Sequence, residues 1–330
     1  MGDSEVSDNA NLRKALKTGF DEFYTLYADV EKELSHYWNF LKGKTVYCNC
    51  DDAKTSAFWE YFHKNFTKIG LKCLLSTAFV KYGHSCLYRY DGDDEGRYDD
   101  DKSYADVYPL NGTGDFRSSE CVNILLQSDI IVTNPPFSLF REYINLLCKY
   151  DKKFIVWGTM NALAANDCFR LFMNDKINIG FLCINTAVFR VPDDCGRYSS
   201  VITSKINDGH LYAEIAGVCV LNNFGIGKTN EKLSLVKKYV PEKYPKFDFV
   251  DIINVDEVRD IPYDYWGYMA VPITFLNKYN PEQFEIVDCL NRAFVMDAFG
   301  KNKSLKESGH FGTMLNGKTK YSRLIIRRKQ

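Results

Sequence analysis

The chain has 330 residues, 45% of them apolar and 15% aromatic, with a formal net charge of −1. This is the make-up of an ordinary soluble globular protein, large enough for one α/β domain with an extension, and it excludes a membrane-spanning or low-complexity chain. A near-zero net charge also argues against binding a polyanion over the whole surface, because phosphate contacts need Lys and Arg.

The first eleven residues are polar and read as a loose tail, with neither a signal peptide nor a membrane span. From Leu12 to Leu41, Phe20, Phe23, Tyr27, Val30, Leu34 and Tyr37 recur at helical spacing, and Lys42-Gly43-Lys44 ends the helical region. Thr45 to Cys48 is an apolar run that reads as a buried strand, followed by a turn at Asn49-Cys50-Asp51-Asp52. A helix is expected over Ser56 to Phe66 and a strand over Leu71 to Phe79. Tyr88 to Gly112 is polar and charged, an insertion or hairpin whose aspartates lack the spacing of a calcium loop.

Then come a helix at Glu120–Gln127, a strand at Asp129–Thr133, a helix at Ser138–Tyr150, a strand at Phe154–Trp157 and a helix at Asn166–Asn174. Strands alternating with helices predict a doubly wound, mostly parallel α/β sheet of the Rossmann-like type, whose ligands lie at the carboxyl ends of the strands. After Ile179 the pattern turns to short β-rich runs, at Ile179–Ile184, Ala187–Val191 and Tyr212–Leu221, with irregular connections at Pro241–Pro245 and Tyr279–Pro281. The division expected is a catalytic domain over 12–230 and a smaller C-terminal extension over 231–330.

Charge is segregated. The stretch from Asp91 to Asp101 is acidic, whereas Lys301 to Lys329 holds nine basic residues, Lys318, Lys320, Arg323, Arg327 and Arg328 among them, against the single acid Glu307. Such an end suits contact with DNA, and a solvated basic tail competes with that reading. The eleven cysteines lack the spacing of a zinc or redox site, so structural thiols in a reducing cytoplasm are expected, and no metal.

The sharpest motif is Asn134-Pro135-Pro136-Phe137, which follows an apolar strand and precedes a helix. An exocyclic amine conjugated to a ring is a poor nucleophile. Two acceptors on its hydrogens localise the nitrogen lone pair, and the Asn134 side-chain oxygen with the Pro135 carbonyl can provide them. Successive prolines hold the corner extended before substrate arrives, and Phe137 can stack on a base taken out of the duplex. Methyl transfer from a sulfonium then needs alignment and electrostatics rather than a metal. A purely structural turn, with Phe137 in the core, is the competing reading. About twenty residues earlier, Gly114-Asp115-Phe116 offers a carboxylate and a ring for a cofactor adenine, or else a plain loop turn. The Asn49–Asp52 loop has no glycine. Its Asp51 and Asp52 can bind a cofactor ammonium or ribose, or cap the next helix.

Over roughly residues 20 to 290 the chain resembles the EcoRI-type adenine-specific DNA methyltransferases. The resemblance rests on Asp21-Glu22-Phe23-Tyr24-Thr25, on Asn49–Asp52 with Ser56 and Phe58, and on Gly114 to Ser118. It rests also on Thr133 to Tyr143, Val271 to Leu276 and Tyr279 to Phe284. It implies S-adenosylmethionine as methyl donor and adenine N6 in a specific duplex DNA sequence as acceptor. It implies that Tyr24 and Thr25 lie near the methionine end of the cofactor, with Asn49, Asp51 and Asp52 in the same pocket. Asp115 and Phe116 would hold the cofactor adenine and Asn134 to Phe137 the target base, with Phe189 as a second aromatic against that base. A cytoplasmic monomer of a bacterial or phage-infected cell, working beside a cognate restriction endonuclease, completes the expectation. Methylation of protein glutamine or cytosine N4, or a non-catalytic DNA-binding protein with this fold, are the alternatives.

Overall fold

The computed structural model describes residues 23–92, 105–192, 209–228, 230–248, 250–290 and 314–330. The N-terminal tail, most of the acidic stretch and Lys301 to Lys306 lie outside these described residues. The chain divides into two compact units, one of residues 1–159 and 175–227, the other of residues 160–174 and 228–330.

The first unit is built on a nine-stranded mixed sheet. Its strands are β1 (Tyr24–Thr25), β2 (Thr45–Asn49), β3 (Cys73–Thr77), β4 (Cys86–Tyr90), β5 (Asp106–Pro109), β6 (Ile130–Thr133), β7 (Lys153–Thr159), β8 (Asn178–Val191) and β9 (Leu211–Asn222). They lie in the order β1-β8-β9-β7-β6-β2-β3-β4-β5. The central strands β7, β6, β2 and β3 run parallel. Every residue of β2, β3 and β6 is buried, as continuous apolar runs in covered parallel strands should be. From β2 the chain passes to β3 on one side and later returns to β6 on the other. The order therefore reverses between β2 and β6, and a crevice opens beyond their carboxyl ends.

Helices join these strands: α1 (Tyr27–Leu34), α2 (Ala57–Lys64), α3 (Ser119–Gln127) and α4 (Phe140–Lys149). The helix α4 buries Phe140, Tyr143, Ile144 and Leu147, the spacing of one helical face. Phe140 also explains Gly158 of β7, where a Cβ would lie 2.2 Å from the Phe140 ring.

The sheet is less parallel than the sequence predicts. The charged segment after β3 forms the antiparallel hairpin β4–β5, and β8 and β9 pair antiparallel along most of their length. The runs at Ile179–Ile184 and Ala187–Val191 are one strand of 14 residues, interrupted by a register shift between Ile179 and Cys183. That shift frees the N–H groups of Phe181 and Leu182, and both donate to the buried Glu33 carboxylate of α1. The helix expected from Leu12 is also broken. Tyr24 and Thr25 are extended and pair with Arg190 and Phe189, so helical periodicity loses there to strand pairing and aromatic packing.

The second unit holds a four-stranded sheet of β10 (Ile253–Asn254), β11 (Met269–Val271), β12 (Phe284–Leu290) and β15 (Arg323–Arg328), in the order β10-β11-β15-β12. A small hairpin of β13 (Met314–Leu315) and β14 (Lys318–Thr319) precedes the last strand. The helix Asn166–Met173 belongs to this unit. Arg323 to Arg328, in the described part of the basic end, form a sheet strand rather than a solvated tail. Arg323 to Ile326 are buried, and β15 pairs with strands on both sides. Among the described residues no helix is long and apolar enough to cross a membrane, and no group of three or more His, Cys, Asp or Glu is placed to hold a metal ion.

Candidate active site

The loop after β2 turns without glycine because Cys50 adopts φ +74°, a conformation unfavourable for a side chain bearing Cβ. Backbone bonds secure it: Asp51 N donates to the Thr77 carbonyl at 3.1 Å, and the Ser76 hydroxyl donates to the Asp51 carbonyl. Asp52 closes the next turn, its Oδ1 accepting from Lys54 N at 2.9 Å and its carbonyl from Ser56 N at 2.8 Å. Neither aspartate caps the helix. The N-cap of α2 is Ser56, whose oxygen accepts from Phe58 N and Trp59 N. Asn49, expected at the cofactor, is fully buried and outside the cavity lining. Its Oδ1 accepts from the Thr77 hydroxyl at 3.3 Å, so it fastens β2 to β3.

Asp51 is nearly buried. Its carboxyl accepts from the Ser56 hydroxyl at 3.0 Å, meets Thr133 Oγ1 at 2.6 Å and receives the backbone N–H of Asn134. Burial pushes its pKa up to about 7 against these hydrogen bonds, which pull it down.

At the end of β6 the side chain of Asn134 is held from a distant part of the chain. Its Nδ2 donates to the Phe23 carbonyl at 2.6 Å and to Thr25 Oγ1 at 3.2 Å. A backbone carbonyl can only accept, so the amide nitrogen must face it and the orientation of the side chain is settled. The oxygen, Oδ1, is buried without a hydrogen-bond partner. An unsatisfied buried acceptor costs about 1–3 kcal/mol, and such groups concentrate where a ligand will satisfy them. Pro135 and Pro136 follow, and the Pro136 carbonyl accepts from Leu139 N at 2.9 Å as the chain enters α4.

Phe137 stacks on Phe23, with ring centroids 5.4 Å apart, and meets the edge of Phe189 at 5.7 Å. It is half-buried and lies beside the cavity lining rather than in it. Phe189 is 1% exposed within β8 and touches both Phe23 and Phe137. It is a core support for Phe137, not an exposed aromatic awaiting a base.

The Gly114–Arg117 turn closes another side. Gly114 has φ +78°, and a Cβ there would sit 2.3 Å from the Ala78 carbonyl oxygen, so glycine is required. Asp115 binds Arg117 through both carboxylate oxygens, at 2.9 and 2.6 Å, which holds its carboxyl below the usual range. Phe116 is buried and packs edge-on against Tyr143 at 5.0 Å.

These segments enclose one cavity of about 350 Å³. Of the expected cofactor and catalytic residues, Tyr24, Thr25, Asp51, Asp52, Asp115, Phe116, Asn134, Pro135 and Pro136 line it. Sequence reasoning missed Phe23, Thr55, Ala57, Ala78, Phe79, Val80 and Leu139. The strand ends after β2 and β3 were a usable signal for Thr55 and for Ala78 to Val80; Phe23 stood only in a segment that carries the resemblance, and it acts through its carbonyl on Asn134 and its ring on Phe137.

The expected DNA-contacting residues differ among themselves. Lys318 is exposed, and Lys320 pairs with Asp256 at 3.3 Å. Arg323 is 8% exposed and donates to Asp256 and the Val255 carbonyl, which makes it a structural tie rather than a surface contact. Arg327 binds Glu285 at 2.6 Å beneath the exposed Tyr268, and Arg328 stacks on the exposed Trp266 at 4.2 Å. Neither aromatic stood out in the sequence.

Comparison with known proteins gives a consistent result. The family model described as "Adenine-specific methyltransferase EcoRI" matches residues 11–329. The chain is 39% identical to the Type II methyltransferase M.EcoRI of Escherichia coli, covering 98% of this chain and 97% of that protein. It is 37% identical to the Type II methyltransferase M.MpnI of Mycoplasma pneumoniae, covering 97% and 98%. It is 35% identical to the Type II methyltransferase M.MgeORF184P of Mycoplasma genitalium, covering 97% and 99%. No solved structure matches it. Matched along nearly its whole length, the chain belongs to the EcoRI family of adenine-specific methyltransferases.

Proposed function

We infer that the cavity takes S-adenosylmethionine, that the Asn134 corner takes an adenine turned out of duplex DNA, and that the chain methylates N6 of that base. The observation that carries this reading is Asn134 Oδ1, a buried acceptor with no partner on a side chain already locked by Phe23 and Thr25. Its position at the β2/β6 order reversal suits a doubly wound, Rossmann-like sheet, which collects ligands at that point.

The residues present fit the cofactor. A cavity of about 350 Å³ with aromatic and carboxylate walls is of the size and character that hold small molecules. Phe116 and the ionised Asp115 would hold an adenine by packing and by accepting from its amine. Tyr24, Thr25 and Asp52 would hold the amino-acid end, with Asp51 in the same lining. When bound, S-adenosylmethionine supplies an electrophilic methyl group on a sulfonium. Asn134 Oδ1 and the Pro135 carbonyl accept the two N6 hydrogens and concentrate the nitrogen lone pair towards the methyl. Phe137, braced by Phe23 and Phe189, stacks on the base without having to be ordered first.

The second unit is the proposed DNA-contacting and target-recognition region. Residues 228–330 hold eighteen Lys and Arg against thirteen Asp and Glu, whereas the rest of the chain has an acidic excess. Lys318 and the stacked pairs Arg327–Tyr268 and Arg328–Trp266 are its proposed contacts, by charge and by planar stacking. A cytoplasmic monomer paired with a restriction endonuclease of matching specificity fits the Type II names of the relatives. Incubation with tritiated S-adenosylmethionine and unmodified genomic DNA tests the whole reading. Label in N6-methyladenine is expected; label in protein or cytosine but never in adenine would reject it.

A further inference from the structure

Asp51 lines the cavity, yet its carboxyl is occupied by the protein itself. Oδ1 accepts from the Ser56 hydroxyl at 3.0 Å, and the N–H of Asn134 also donates to the group. Oδ2 lies 2.6 Å from Thr133 Oγ1, and the same Thr133 hydroxyl bonds the backbone carbonyl of Asn49. A threonine hydroxyl has one proton. The Asn49 carbonyl and an ionised Asp51 carboxylate can both only accept, so one proton cannot serve both contacts. Both are satisfied together only if Asp51 carries a proton and donates it to Thr133.

We propose that Asp51 is a neutral carboxylic acid and a positioning residue, a clamp that ties the loop after β2 to the Asn134 corner after β6, and not an anionic ligand for the cofactor. In this state every hydrogen bond pairs a donor with an acceptor: Asp51 Oδ2–H to Thr133, Thr133 to the Asn49 carbonyl, Ser56 to Asp51 Oδ1, and the Asn134 N–H to the same carboxyl. The titratable groups facing Asp51 are Asp52, the thiols of Cys48 and Cys50, and the phenol of Tyr143, none of them a cation. Burial therefore prevails, and the acid titrates near pH 7. The inference deepens the proposed function and rests on it only for methyl transfer; the proton count stands on the fold alone.

The sign of the pH effect follows. Unfolded, Asp51 titrates near pH ~3.9. Folded, it retains its proton to about 7. The folded chain binds the extra proton between these values, so this contribution to stability is whole below the lower value and is lost as pH rises through the upper one.

The variants Asp51→Asn and Asp51→Ala separate the possibilities, because asparagine reproduces the neutral acid with one donor and one acceptor. Thermal unfolding of the cofactor-free protein from pH ~4 to ~8 is the first readout. The wild type should lose stability relative to Asp51→Asn as pH rises towards about 7 and the difference should level off above it. A constant difference between them would overturn the proposal. In single-turnover transfer Asp51→Asn should exceed Asp51→Ala by about tenfold or more. Calorimetry with S-adenosylhomocysteine should give Asp51→Asn an affinity within about threefold of wild type, or about 0.6 kcal/mol. Equal loss of affinity in both variants would make Asp51 an anionic ligand and sink the idea. Should neither variant fold, infrared spectra of the wild type decide. A protonated-carboxyl band that vanishes as pH passes 7 supports the clamp, and no such band at lower pH contradicts it. A protein that shows the pH effect but never methylates DNA would refute the proposed function and leave the clamp intact.

Discussion

Two corners meet at the cavity, and they are stiffened by opposite means. The corner after β6 is stiffened covalently, by Pro135 and Pro136, and its side-chain amide is tied by Phe23 and Thr25. The loop after β2 has no proline and no glycine. It accepts an unfavourable φ at Cys50 and relies on hydrogen bonds through Asp51, Asp52 and Ser56. The difference fits the two tasks. A group whose chemistry depends on an angle needs a frame that does not relax, whereas a loop against a cofactor only needs the right shape when loaded.

The comparison can be broken most severely at Asn134. Replacing it with alanine should cut single-turnover transfer by about 10²–10³-fold, the scale for one preorganised polar group, while cofactor affinity by calorimetry stays near wild type. Parallel loss of both would give Asn134 a structural role. Next is Gly114→Ala, which forces Cβ against the Ala78 carbonyl at positive φ. It should cost about 2–3 kcal/mol of stability by denaturant unfolding, together with cofactor binding. Phe137→Ala should slow transfer by about tenfold while duplex affinity in a gel-shift titration changes less. Unchanged kinetics would remove Phe137 from the base pocket. The smallest effect sharpens the contrast from the other side. Cys50→Gly relieves the left-handed backbone and should stabilise the fold by about 1 kcal/mol in denaturant unfolding.

The sequence shows unequal parts of this arrangement. The parallel strands β2, β3 and β6 and the helix α4 are legible because buried runs and one-faced helices leave strong local patterns. The Asn-Pro-Pro-Phe corner is legible because proline chemistry is local. What holds Asn134 is not: Phe23 and Thr25 are 111 and 109 residues away, and the helical spacing of Phe20, Phe23 and Tyr27 conceals the strand Tyr24–Thr25. The burial of Asn49 and Phe189 was equally hidden, since a strand residue facing the core and one facing a ligand look alike in sequence. Arg323 was hidden in the same way: it reads as surface charge until β15 is seen pairing on both sides, whereas Arg327 of the same strand is exposed.

The most direct measurement is sequencing, with detection of modified bases, of DNA from cells expressing the wild-type chain or Asn134→Ala. The account predicts N6-methyladenine at one recurring sequence context with the wild type and only background with the variant. Equal methylation by both, or none by the wild type, would contradict it.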